Sequence, residues 1–61
     1  MSDTRLRLKA AIERLSDLEE EHASAVHHAI AGDAEASAER LRLLDEIETQ
    51  KALIREMEAS I

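Results

Sequence analysis

A chain of 61 residues without cysteine has room for one small domain, closes no disulfide and builds no thiolate zinc site, so a partner chain is its expected staple. Fourteen acidic against eight basic residues give a net charge of −6, and Phe, Tyr and Trp are all missing; phosphate backbones are repelled and no base finds an aromatic platform, which argues against nucleic acid as a partner. The apolar stretches are broken by charge or histidine well short of the roughly 20 residues that a bilayer crossing requires, so the sequence predicts no membrane partner and a soluble, cytoplasmic protein.

The first predicted element is a helix over about 3–31. At about 100° per residue, Leu8, Ala11, Leu15, Leu18, His22, Ala25, Val26 and Ala29 fall on one stripe, widened by Ile12 and Ile30. Ser2 or Asp3 stands where an N-cap is expected. Inside this helix the stretch "DLEEEH", residues 17–22, sets Glu19 and His22 in the Glu-x-x-His relation that puts a carboxylate and an imidazole on one face, as in di-iron bundles. A dinuclear site also needs carboxylates from the facing helix, and there Asp45, Glu46 and Glu48 point away from the stripe. Glu19 and His22 are therefore the only candidate metal ligands, and the expectation is no metal and no cofactor, with His22 a core-edge histidine satisfied by a carboxylate or water. His27 and His28 are neighbours about 100° apart around the helix, so they form no facing pair.

The stretch "AIAGDAEAS", residues 29–37, holds the only glycine of a chain that has no proline. A single continuous helix would extend the spacing of seven through Leu8, Leu15, His22 and Ala29 to Ala36, Leu43, Gln50 and Met57. Its companion row would then fall on Gly32, Glu39, Glu46 and Leu53, two of them glutamates. The pattern thus shifts phase across residues 32–37. Gly32 suits the left-handed position after a helix, Asp33 suits the N-cap of the next, and His27, His28 and Glu35 match the dipole ends they flank. A turn at 32–33 is expected. Alanines at 23, 25, 29, 31, 34, 36 and 38 would let two helices approach closely near that turn.

The second predicted helix covers about 34–60, with a stripe of Leu43, Ile47, Gln50, Ile54, Met57 and Ile61 widened by Leu44. Gln50 is polar within that stripe, the kind of residue that fixes register or oligomer state.

The fold class is therefore all-α: one domain over 1–61, an antiparallel helical hairpin. Each stripe is too wide for one neighbour, so the hairpin is expected to dimerise into a four-helix bundle. The expected interface is Leu8, Ala11, Ile12, Leu15, Leu18, His22, Val26, Leu43, Leu44, Ile47, Gln50, Ile54 and Met57. Arg5, Arg7, Lys9 and Arg14 sit at the open end and Asp33, Glu35 and Glu39 at the turn, which favours stacking with the turns at opposite ends. Chain length, a bend at mid-chain and this periodicity resemble the Rop-type plasmid RNA-binding hairpin, a homodimeric four-helix bundle. The resemblance implies the fold alone, because that family's basic, aromatic RNA face has no counterpart in this chain.

Asp17, Glu20, Glu21, Asp45, Glu46 and Glu48, with Glu19, come to one level as a carboxylate belt that offers a docking surface to a protein with a basic surface. Ser16, Ser24, Ser37 and Thr49 have neither a glycine-supported elbow nor a base at useful spacing, so no catalytic residue and no enzyme activity are expected. The sequence points to a small homo-oligomeric bundle acting through protein–protein interaction, as adaptor, inhibitor or regulatory subunit. Its alternatives are a metal-binding ferritin-like bundle and a structural coiled-coil segment whose continuous helix would span about 87 Å.

Overall fold

The computed structural model describes residues 3–60. Helix α1 runs Asp3–Ile30 over 28 residues and helix α2 runs Ala34–Ala59 over 26, and the two pack against each other as a hairpin. Few β-branched residues, one glycine and a high share of Ala, Leu, Glu and Arg make both segments strong helix formers. The long dimension is 46 Å, about half of the continuous rod that the coiled-coil alternative required. The chain is therefore not one continuous helix, and the cause lies in two residues.

Gly32 takes φ +100°, the left-handed region that glycine enters without steric penalty. From there its N–H donates to the carbonyl of Ala29 at 3.0 Å, and the N–H of Asp33 donates to the carbonyl of His28 at 3.2 Å. These two reach-back bonds form a Schellman closure that satisfies carbonyls left open at the end of α1. Asp33 then leaves in extended geometry, φ −79° and ψ 111°, and its carboxylate accepts from the N–H groups of Glu35 at 3.0 Å and Ala36 at 3.2 Å. One residue thus completes the stop of α1 and caps the start of α2. The expected turn is where the sequence put it, with α1 ending at Ile30 rather than 31. At the other end α1 already includes Asp3, whose carboxylate stands in the first turn instead of outside it as a cap. The other cap candidate, Ser2, and the last stripe residue, Ile61, lie outside the described residues.

The helices meet along a seam narrower than either stripe. Ala11, Leu18 and Ala25, spaced by seven, are the buried residues of α1, and Leu43, Ile47 and Ile54 are those of α2. Leu18, Ala25, Leu43 and Ile47 form the central cluster, with Leu15 packed against it. Two of the six buried side chains among the described residues are alanines, which bring the backbones close and contribute little apolar area of their own. Of the alanines near the turn, Ala25 is buried, Ala29 and Ala36 are half-buried, and Ala23, Ala31, Ala34 and Ala38 are exposed. The exposed four serve helix propensity rather than close approach. Gln50 donates from Nε2 to the carbonyl of Ala11 at 3.0 Å. It therefore ties α2 to α1 within one chain, as a register-setting residue would.

Candidate functional site

The seam uses only part of each stripe, and what remains differs sharply between the two broad faces of the hairpin. Because the helices are antiparallel, residues displaced in the same rotational sense from the seam share a face. On one face, a groove near the turn is lined by Val26, Ala29, Ile30, Ser37 and Arg40, and a groove near the open end by Leu15, Ile54, Lys51, Arg55, Glu48 and Glu58. Between and beside these grooves the helical phase places Ile12, 51% exposed, and Leu44, 42% exposed. The opposite face carries a groove of about 370 Å³ bordered by Glu21, His28, Asp33, Glu35 and Glu39, and a second with Asp45, Glu46, Thr49 and Arg14. One face is apolar, with cations and two carboxylates at its margin. The other is acidic.

The residues expected at an interface divide accordingly. Ala11, Leu18, Leu43, Ile47 and Ile54 are consumed inside the hairpin; Leu8, Leu15, His22, Val26, Gln50 and Met57 are half-buried; Ile12 and Leu44 lie open. The sequence reading missed Arg40 and Leu41. Arg40 stands seven residues before Ile47, is half-buried and lines the groove near the turn.

The carboxylate belt is not one surface. Asp17, Glu20, Glu21, Asp45 and Glu48 are exposed and Glu46 is half-buried. Glu21 lines one acidic-face groove and Asp45 and Glu46 the other, while Glu48 lies on the apolar face beside Lys51 and Arg55. The cause is phase: carboxylates at one height around two helices point in different directions.

Glu19 is exposed and His22 half-buried, and among the described residues no three His, Asp or Glu side chains come together as a metal site would require. Nε2 of His22 is shut off from solvent and has no hydrogen-bond partner among the described residues, so no carboxylate there satisfies it. A buried orphan nitrogen opposes folding by about 1–3 kcal/mol, while an apolar side chain of similar size has no such group to satisfy. His22→Leu is therefore expected to raise stability by about 1 kcal/mol, read as a higher urea midpoint with an unchanged slope. A loss of stability would mean that the imidazole makes a favourable contact.

The rings of His27 and His28 meet edge to face at 5.8 Å, with their planes 81° apart, so the two do not face one another. Nδ1 of His28 donates to the carbonyl of Ser24 at 2.9 Å. The serine hydroxyls of α2 are also turned to backbone, Ser37 donating to the carbonyl of Asp33 and Ser60 to that of Glu56. Glu39 and Arg42 form an exposed ion pair one turn apart, an arrangement of little energetic consequence. No described helix is long and apolar enough to cross a membrane.

No protein-family model, curated protein or solved structure matches the chain. Function is therefore read from these two faces alone.

Proposed function

We propose that this chain is a small self-associating helical module that acts by binding another protein and not by catalysis. The observation that carries the reading is the uncovered apolar face. A stable domain packs at least two layers of secondary structure around a core, and a single hairpin is one layer. The radius of gyration of 14.1 Å compares with about 10.5 Å for a compact chain of this length, so the hairpin is extended where an independently folding domain would be round. Six buried side chains, two of them alanine, are few to hold 58 residues in place. Pairing two hairpins supplies the missing layer and makes the four-helix bundle of the up-down kind.

In such a bundle the acidic face stays outward. Glu21, Glu35, Glu39 and Glu46 then remain open to a partner protein with a basic surface, with field enough to steer its approach. An adaptor, inhibitor or regulatory subunit would work in this way. Sedimentation equilibrium across a concentration series tests the assembly: the expected mass is twice the 6.8 kDa of one chain. A folded monomer throughout the micromolar range overturns it.

A further inference from the structure

The turn fixes which residues of α1 and α2 stand at the same height: Ile30 ends α1 and Ala34 begins α2 on either side of it. Counting away from it at about 1.5 Å per residue on each helix brings Leu44 level with about Glu20, and the groove that brings Leu18 to Glu46 and Arg14 to Gln50 keeps the same register. Leu44 is an exposed leucine in the middle stretch of α2, on the apolar face. Arg40 lies about one turn to one side of it and Glu48 one turn to the other, both at the grooves of that face.

We infer, building on self-association, that a second copy covers this face with its turn at the opposite end, so that Leu44 lies on the two-fold axis and Arg40 of each copy meets Glu48 of the other. The geometry works as follows. A two-fold axis normal to the hairpin's length sets α2 against its own copy, running the other way. A residue four before Leu44 then comes level with one four after it, and the charges at those places are opposite. On α1 the same operation brings Leu15 level with Ala25 of the copy and Leu18 level with His22, buried or half-buried groups in each case. The alternative, with turns at the same end, sets α2 over α1 of the copy. Arg55 would then stand at the height of Lys9, cation beside cation, and the acidic turns would lie together.

Area agrees with a second copy as occupant. A face of 46 by 16 Å offers roughly 700 Å², close to the about 800 Å² that each partner gives to a standard stable interface. The basic start of each chain would lie beside the acidic turn of the other, so the long-range charge term favours the same orientation.

The chain has no cysteine, so single introduced thiols report on the arrangement directly. Leu44→Cys is expected to form a disulfide-linked dimer under mild oxidant, whereas Leu53→Cys, 41% exposed but on the acidic side, is expected to remain a thiol. Arg40→Glu and Glu48→Arg should each weaken the dimer about tenfold, and the double variant should recover most of that loss, as expected for a direct pair across an interface. Dimeric wild type in which Leu53→Cys crosslinks and Leu44→Cys does not would overturn this face while leaving self-association standing. Monomeric wild type would overturn both. Charge reversals whose effects simply add, with no recovery in the double variant, would overturn the register.

Discussion

Leu43→Asp is expected to abolish helicity and assembly together. Leu43 is 2% exposed and packs with Leu18, Ala25 and Ile47 at the centre of the seam. A carboxylate placed there is cut off from water with no cation beside it, an arrangement that costs several kcal/mol even after relaxation. A chain of this length seldom draws more than about 3–5 kcal/mol from its core. The penalty therefore equals or exceeds all the stability there is, and neither helix is held once the seam opens, because isolated helices of this length are marginal in water. Leu43→Ala, which loses about 2–5 kcal/mol by cavity and transfer terms, should leave a partly folded population. Far-ultraviolet circular dichroism against temperature separates the cases: a Leu43→Asp chain that keeps the wild-type signal and midpoint would show that the seam does not hold the fold.

How far the sequence foretells such effects depends on the residue. The turn was legible because Gly32 and Asp33 act locally: a left-handed closure and a cap need no information from elsewhere in the chain. The stripes were legible because periodicity is also local. What a stripe does not say is how much of it one neighbour covers. Leu18 and Leu44 read alike as interface residues, yet one is 2% and the other 42% exposed, and the difference is set by where the axes of α1 and α2 meet. Gln50 shows the same limit, since its partner, the carbonyl of Ala11, lies 39 residues away. The carboxylate belt read as one surface because height was counted and direction was not. His22 was placed correctly at the core edge, but the orphaned state of its Nε2 follows from packing alone. Local chemistry is written in the order of residues, whereas faces emerge only when two helices are set at one angle and height.

That distinction bears on the turn itself, where a hairpin and a rod compete. A Cβ added at Gly32 would meet nothing within 4 Å, so steric crowding contributes nothing to the effect of substitution there. The remaining cost is conformational: at φ +100° an L-residue is strained by about 1–2 kcal/mol, more if β-branched and less for asparagine. Stability is therefore expected to fall in the order Gly32→Asn, Gly32→Ala, Gly32→Val. Gly32→Ala acts on the competitor as well, since alanine removes the roughly 1 kcal/mol that glycine costs inside a continuous helix. What still favours the hairpin is Asp33, whose two bonds to the amides of Glu35 and Ala36 are lost if the helix runs on; such a cap contributes about 1 kcal/mol. Gly32→Ala alone should give a weakened hairpin, and Gly32→Ala with Asp33→Ala should shift a substantial fraction of chains to a long helix that re-forms the seam with a second chain. Small-angle scattering reads the change as growth of the longest dimension beyond that of the wild-type assembly, toward about 87 Å. A Gly32→Val chain as stable as the wild type, or a double variant of unchanged length, would show that Gly32 and Asp33 do not decide between hairpin and rod.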